Sequence, residues 1–304
     1  MNRLGRMWDS DIAWSFRHSP VAVIAAAVAL IIILAAVFAP WIAPYNPFDP
    51  SSLNLMDGFT PPGEPNAFTG NTYLMGTDNQ GRDIFSTILY GARISLFVGF
   101  AAVIFAMVLG IGLGLLAGWR GGWVDSLLMR VADVQLSFPS ILIALLIFGV
   151  ARGFIPPSMR EEVAIWVLIV SIGLSDWVQY ARVVRGAAMV EKSKEYVQAA
   201  RVIGVHPARI VLRHILPNVM GPVLVIATIG LALAIIAEAT LSFLGVGVPP
   251  TQPSLGTLIR IGQQYLFSGE WWILLFPSIA LLLLALSVNL LGDWLRDALN
   301  PRLR

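Results

Sequence analysis

Two carboxylates fall inside long apolar stretches of the sequence, where ionisable side chains are costly and often functional. Asp176 interrupts a charge-free run that begins after Glu162, and Glu238 lies near the end of a run that begins after Pro217. Both could line a polar pathway and attract a cationic group. Alternatively, Asp176 pairs with another helix, and Glu238 lies close enough to a membrane surface to be hydrated. We treat Asp176 and Glu238 as candidate pathway residues.

The sequence contains no residue pattern for catalysis or metal binding. It has no cysteine, and the histidines at positions 18, 206 and 214 lack the spacing of a metal site. Its lysines are Lys192 and Lys194, and neither follows a glycine, so the Gly-Lys pair of a phosphate-binding P-loop is missing. We therefore expect no catalytic residue, metal site or cofactor in this chain. Any ATP-driven movement would need a separate subunit.

The composition is that of a membrane protein. Of 304 residues, 57% are hydrophobic and 12% are charged, whereas soluble domains have about half and about a quarter. The formal net charge of +2 gives no indication of a nucleic-acid partner. These values exclude a disordered chain and argue against a conventional soluble enzyme.

Six apolar segments are long enough to cross a bilayer, which takes about 20 residues of helix. Helices are expected because they satisfy their own backbone hydrogen bonds in lipid. The predicted spans cover residues 21–43, 94–119, 131–151, 163–185, 219–241 and 271–292. We predict an all-α polytopic membrane protein with six transmembrane helices.

The basic residues predict the orientation of the chain. With both termini in the cytoplasm, fifteen of the 20 lysines and arginines lie on the cytoplasmic side, as the positive-inside rule favours. Residues 1–20 would then be a cytoplasmic segment. Residues 44–92 would form an external loop with a short interfacial helix that ends at Tyr90, and residues 242–270 would form a second external loop.

The predicted cytoplasmic loop of residues 191–218 is too polar to cross the membrane and too apolar to be a free linker. A short helix is predicted over residues 194–203, with Gly204 as its C-terminal cap. Pro207 is suited to the first position of a second helix. The loop would therefore be a bent pair of helices along the cytoplasmic face.

Part of this loop resembles a known pattern. The residues that carry the resemblance are Gln198, Ala199, Ala200, Gly204, Leu216 and Pro217. Together they resemble the EAA loop of the permease subunits of bacterial ABC importers. That family has Glu where this chain has Gln198, so an essential carboxylate is not supported there. Ala199 and Ala200 would give the first helix a small, flat side that a partner can approach closely.

The resemblance extends over nearly the whole chain and narrows to the second (C-type) permease of the oligopeptide/dipeptide (peptide/nickel) importer group. The segments that carry it, in chain order, are residues 16–20, 38–45, 75–83, 90–95, 136–139, 241–245 and 292–304. Each segment alone is a weak indication of the family, but their order along the chain and their topology together make the resemblance specific.

This resemblance implies a type I ABC importer permease fold, with an ABC permease core over residues 93–304 and a coupling loop over residues 191–218. The partners would be a sister permease in a heterodimer, two ABC ATPase subunits that bind ATP and Mg²⁺, and an external solute-binding protein, in a bacterial cytoplasmic (inner) membrane. The residues implied in ATPase coupling are Gln198, Ala199, Ala200, Gly204, Pro207, Leu216 and Pro217.

The implied function is that of a transport subunit without enzymatic activity of its own. It would translocate di- or oligopeptides by alternating access coupled to the partner ATPases. Similar permeases carry nickel or glutathione, so these or another small solute stay open as cargo. An ion-coupled secondary transporter or a channel is the alternative from a different class. That alternative explains the spans and Glu238 but gives no reason for the bent cytoplasmic helix pair.

Overall fold

The computed structural model describes residues 11–49 and 53–298, and within these ranges the chain has twelve α-helices and no β-strand. They are α1 Asp11–Arg17, α2 Pro20–Val37, α3 Ala39–Ile42, α4 Ile84–Arg120, α5 Gly122–Leu136, α6 Ser140–Phe154, α7 Arg160–Lys192, α8 Glu195–Val202, α9 Pro207–Ile210, α10 Leu216–Phe243, α11 Leu255–Tyr265 and α12 Trp272–Ala298. Residues 1–10 of the predicted cytoplasmic segment lie outside the described ranges. Five helical stretches are long and apolar enough to cross a membrane, and α5 with α6 would make a sixth. The fold is therefore all-α and polytopic.

The third predicted span is a bent pair of helices, because α5 and α6 meet at an angle of 98°. Pro139 precedes α6 and cannot continue the hydrogen bonding of α5. Gln135, near the end of α5, donates from Nε2 to the carbonyl oxygens of Leu174 and Ser175 at 2.8 and 2.9 Å. Its Oε1 accepts a hydrogen bond from Trp177 Nε1 at 2.9 Å. The bend is therefore held against α7 by polar contacts.

The second span begins earlier than its apolar run. α4 starts at Ile84, so the interfacial helix expected to end at Tyr90 is instead the beginning of α4. Asp83 caps this helix, since its carboxylate accepts hydrogen bonds from Ser86 N–H at 2.9 Å and from the Ser86 hydroxyl at 2.6 Å. The apolar pattern did not predict this start because the first residues of α4 precede the apolar run, and the helix is begun there by the Asp83 cap.

Small residues on α4 bring its backbone close to α7. Gly110, Gly114 and Gly118 recur at every fourth position, which places them on one face of the helix. A methyl carbon on Gly110 would lie 2.5 Å from Tyr180 Cβ, whereas one on Gly112 would meet nothing within 4 Å. The pair is thus held by close van der Waals contact of the kind that small residues permit between membrane helices.

We expect Gly110→Ala to destabilise the folded permease, because a contact of 2.5 Å forces the two helices apart. Overpacking of a fitted contact costs about 1–3 kcal/mol. Gly112→Ala is the matched control on the same helix. Thermal unfolding of both purified variants in detergent should show a lower melting temperature for Gly110→Ala alone. Equal melting temperatures would contradict the proposed packing of α4 against α7.

Residues 53–83 fold around the carboxylate of Asp57, which is 1% exposed. This carboxylate accepts hydrogen bonds from the hydroxyl of Thr69, from Asn71 Nδ2 at 3.1 Å and from the hydroxyl of Tyr73 at 3.0 Å. Burial alone would raise the pKa of Asp57, but these hydrogen bonds together hold it below its ordinary value of 3.8. The ionised carboxylate therefore stabilises this segment.

The sign of that shift predicts an acid-sensitive segment. The stabilisation by Asp57 is complete above its unfolded pKa and is lost as the pH falls through the lower, folded pKa. We expect residues 53–83 to lose protection against hydrogen exchange at a pH below the unfolded value of 3.8 relative to pH 7, after correction for intrinsic rates. Asp57→Asn should be less protected at both pH values and should show less change between them. Equal corrected protection of the wild-type segment at both pH values would contradict this role.

Candidate coupling site

The helix α8 connects the end of α7 to α9 and packs one face against the bundle. Val197 and Ala200 are buried on this face, in the same apolar cluster as Ile210 and Ile215. Ala199 is exposed. The expectation that both alanines form one partner-facing side is therefore corrected, because successive residues of a helix point in different directions.

Two large apolar side chains are exposed at the end of α8, on its last residue and on the residue after it. Val202 is 87% exposed and Ile203 is 77% exposed. Gln198 and Ala199 lie one turn earlier, and the amide nitrogen of Gln198 donates to the carbonyl oxygen of Ser193 at 3.0 Å. We name Gln198, Ala199, Val202 and Ile203 the coupling surface. An exposed apolar patch with polar surroundings is typical of a binding surface.

The end of α8 is a Schellman motif centred on Gly204, which has a φ of 79°. Val205 N–H donates to the carbonyl oxygen of Ala200, and Gly204 N–H donates to that of Arg201, each at 3.0 Å. A side chain on Gly204 would meet nothing within 4 Å. The requirement for glycine is therefore conformational, since other residues adopt this φ only with strain.

Polar contacts join α8 to α7 and α10. Glu191 accepts hydrogen bonds from Lys194 Nζ at 2.5 Å and from the hydroxyl of Tyr196. Asn218 Nδ2 donates to the same hydroxyl at 3.0 Å. Burial and the hydrogen bond to Glu191 raise the pKa of Tyr196. Sequence reasoning missed these residues because no motif marks them and they come from three separate helices.

A second attachment joins α8 to the end of α4. The guanidinium carbon of Arg201 lies 4.4 Å from the centroid of the Trp119 ring, which is a cation–π contact. Nearby, Lys192 Nζ at the end of α7 donates to the carbonyl oxygen of Trp119 at 2.5 Å, which joins α7 to α4. A force on α8 would therefore act on α4, α7 and α10 together.

The second half of the loop runs directly into α10. Pro207 occupies the first turn of α9, where its missing N–H needs no partner. A π-helical turn follows at Val211–Ile215, and Leu216 N–H donates to the carbonyl oxygen of Val211, five residues earlier. Pro217 has no N–H, so the regular α-helical pattern is interrupted at this point. α9, this turn and α10 nevertheless form one continuous helical stretch, Pro207–Phe243.

Glu238 lies where α4, α10 and α11 meet, and it is 0% exposed. One carboxylate oxygen accepts a hydrogen bond from the hydroxyl of Ser95, and the other accepts one from the hydroxyl of Ser242, both at 2.7 Å. Ser95 Oγ also accepts from the N–H of Leu255, the first residue of α11, at 3.2 Å. In this structure Glu238 therefore connects three helices and is shielded from solvent.

Asp176 is half-buried and lines a groove between α4, α7 and α10. Ala102, Gln179 and Gly230 lie along the same groove. The hydroxyl of Ser175 donates to its carboxylate at 3.3 Å. In the described part of the chain it has no basic side chain within 4.0 Å. Asp176 and Glu238 thus occupy different environments, and the structure does not bring them together.

An all-α bundle of membrane-spanning length, with a short helix held between two of its spans, defines the chain as a polytopic membrane protein. Residues 110–304 match the family of the binding-protein-dependent transport system inner membrane component, and the chain belongs to that family. Residues 7–62 match the N-terminal transmembrane domain of oligopeptide transport permease C.

The chain is similar to several bacterial permeases over nearly its full length. It is 42% identical to a putative peptide transport system permease protein of Brucella suis, over 90% of this chain and 86% of the relative. It is 38% identical to a di/tripeptide transport system permease protein of Pseudomonas aeruginosa, over 95% of this chain and 91% of the relative. An oligopeptide transport system permease protein of Bacillus subtilis is 36% identical over 98% of this chain and 90% of the relative.

A solved structure has the same fold. A chain of the methionine ABC transporter MetNI in an inward-facing conformation aligns with a TM-score of 0.54. The alignment covers 70% of this chain and 96% of that chain at 22% sequence identity. At that identity the likeness shows the fold alone.

Proposed function

We propose that this chain is a permease subunit of an ATP-driven importer of di- or oligopeptides. The names of its relatives support a peptide cargo. The observation that carries the mechanism is the coupling surface, because its apolar side chains Val202 and Ile203 project outward from a polar loop. Exposed apolar side chains there are best explained by a protein partner that covers them.

The partners that complete the importer are a sister permease, two ABC ATPase subunits that bind ATP and Mg²⁺, and an external solute-binding protein. The lack of a Gly-Lys phosphate-binding pair in this chain supports a separate ATPase. The sister permease would form the other half of the pathway. Nickel, glutathione or another small solute is the alternative cargo for the same machinery.

The coupling step would begin when the ATPase subunits close on ATP. Closure moves the coupling surface, and α8 transmits the movement through two attachments: the Arg201–Trp119 contact to α4, and the Glu191–Tyr196–Asn218 contacts to α7 and α10. These helices line the groove that contains Asp176. Their movement would open the pathway alternately to the two sides of the membrane.

In this mechanism Asp176 and Glu238 have different roles. Asp176 is the candidate for contact with cargo, since it has no basic partner within the described ranges. Glu238 holds α11 against α4 and α10. Of the other residues implied in coupling, Gly204, Pro207, Leu216 and Pro217 shape the backbone after the coupling surface, and Ala200 packs α8 against the bundle.

The orientation of the importer is testable because the chain has no cysteine. Cysteines introduced at the exposed positions Ser158 and Thr251 should react with an impermeant thiol reagent added to intact cells. A cysteine at Ser193 should react only after the membrane is opened, since the charge distribution places it in the cytoplasm. Labelling of Ser193 with unlabelled Ser158 and Thr251 in intact cells would reverse the orientation.

Copurification tests the class of transporter. The tagged permease, expressed with its neighbouring genes, should retain an ATPase through affinity and size-exclusion steps. The solute-binding protein loaded with peptide should stimulate hydrolysis by that complex. A permease that transports solute in the verified absence of any ATPase would instead be a secondary transporter or a channel.

A further inference from the structure

A cavity opens at the end of the bundle remote from α8. It lies between the end of α6, the start of α7 and the segment that joins α10 to α11. α7 runs from Arg160 at the cavity to Lys192 beside α8, which is about 50 Å of helix. The cavity is therefore separate from the coupling site, and the proposed orientation places it on the external side.

Three arginines from three different elements line this cavity. They are Arg152 of α6, Arg160 of α7 and Arg260 of α11. Glu161 is the only acidic side chain among the lining residues. The remaining wall is largely apolar and includes Phe148, Ile155, Val167, Val248 and Pro249. The cavity thus has an excess of positive charge next to an apolar surface.

The local backbone makes room for one of these guanidinium groups. Gly245 has a φ of 80°, and a methyl carbon there would lie 2.4 Å from Arg260 Nη1. The guanidinium group of Arg260 thus lies where any other residue would place its side chain. Arg160 Nε donates to the carbonyl oxygen of Ile155 at 3.1 Å, which fixes that side chain beside the connection from α6 to α7.

None of the three guanidinium groups has a carboxylate oxygen within 4.0 Å among the residues that the structure describes. Arg82 differs, because its Nε is paired with Asp78 at 2.6 Å. Arg152 and Arg260 are exposed and Arg160 is half-buried. Three positive charges that line one cavity without such a partner favour a bound anion. Guanidinium groups also match the planar, two-oxygen geometry of carboxylate and phosphate groups.

We propose that this cavity binds one anionic group, a carboxylate or a phosphate, through Arg152, Arg160 and Arg260. The apolar wall would hold the chain attached to that group. Two sources fit this chemistry: the carboxyl terminus of a transported peptide and the headgroup phosphate of an anionic phospholipid. The peptide source rests on the proposed function, whereas the lipid source does not.

The first experiment measures lipid binding by the whole purified importer. Native mass spectrometry during titration with dioleoylphosphatidylglycerol should show retention of lipid by the wild type. The double variant Arg152→Gln with Arg260→Gln should bind this lipid at least about tenfold more weakly, since it lacks two charge-assisted contacts. Arg93→Gln removes an exposed charge that does not line this cavity and should bind like the wild type. Arg260→Lys should keep part of the binding, because it keeps the charge and loses the planar geometry.

The second experiment measures uptake of trialanine and of its C-terminal amide into phosphatidylcholine liposomes. If the cavity takes the peptide carboxylate, the double variant should lower trialanine uptake about tenfold and leave amide uptake unchanged. Uptake of each peptide by the Arg93→Gln importer serves as the control for general loss of charge.

The two experiments separate the sources of the anion. A loss confined to phosphatidylglycerol binding assigns the site to a lipid headgroup, and a selective loss of trialanine uptake assigns it to the substrate. A wild-type importer that transports neither peptide would contradict the proposed function, while lipid binding would still decide the anion site. Unchanged behaviour of the double variant in both experiments would overturn the proposal.

Discussion

Replacement of Val202 and Ile203 together by Asp is expected to separate the permease from its ATPase while the bundle stays folded. Both side chains are mostly exposed in the chain itself, at 87% and 77%, so the change costs little in its own fold. In the complex, each buried apolar side chain contributes about 1.5–3 kcal/mol, and two carboxylates in its place add a desolvation cost. Retention of the ATPase should therefore fall by about 100-fold or more.

The measurement is the amount of ATPase that copurifies with the tagged permease, together with hydrolysis stimulated by the loaded solute-binding protein. Phe68→Asp is the matched control, because Phe68 is an 85% exposed apolar residue far from α8 in the sequence. It should retain the ATPase fully. Full retention and wild-type stimulation by the double variant would exclude this surface as the coupling element.

Two neighbouring changes should behave differently from each other. Gly204→Asp forces a non-glycine residue into a φ of 79°, so it should loosen the end of α8 and reduce coupling in a folded permease. Ala200→Glu places a carboxylate in the apolar cluster that holds Ile210, so it should reduce accumulation of the permease itself. Membrane content and ATPase retention, measured side by side, distinguish these results.

Glu238→Ala is expected to release α11 and to lower both stability and transport. It removes the acceptor of two buried hydroxyl groups, those of Ser95 and Ser242, and each unsatisfied buried group costs about 1–3 kcal/mol. Glu238→Gln is the matched comparison, because its amide can still accept from one serine and donate to the other. Its effect on stability should be smaller.

The melting temperature and the uptake rate of both variants test this role. If Glu238 holds α11 in place, the melting temperature and the uptake rate should fall together, and both should fall further in Glu238→Ala than in Glu238→Gln. Equal loss of uptake in both variants, with the wild-type melting temperature, would show that the charge of Glu238 acts on cargo and would return it to the pathway.

Features that depend on local sequence could be predicted. The apolar runs predict the spans because bilayer thickness fixes the length of helix required. Gly204 predicts the end of α8 because a positive φ at a helix terminus favours glycine. Pro207 predicts the start of α9 for the same local reason, since its ring fixes φ and its N–H is not needed there.

Features that depend on contacts distant in sequence could not be predicted. The carboxylate of Glu238 is hydrogen-bonded to Ser95, 143 residues earlier. The sequence around Glu238 alone therefore could not distinguish a pathway residue from a hydrated residue near the membrane surface. The outward direction of Val202 and Ile203 depends on which face of α8 the bundle covers. Pro139 is a local signal for the bend between α5 and α6, but the attachment of this bend to α7 depends on Gln135 and its acceptors, about 40 residues later.

ATP-dependent uptake of trialanine into liposomes tests the central claim most directly. The liposomes would contain the purified permease, its sister permease and both ATPases, with the solute-binding protein on the side where it docks. The expected result is uptake that requires ATP and the solute-binding protein and that is abolished when Val202 and Ile203 are both Asp. Trialanine uptake that an ion gradient drives without ATP, or that this double variant leaves at the wild-type rate, would contradict an importer coupled through α8.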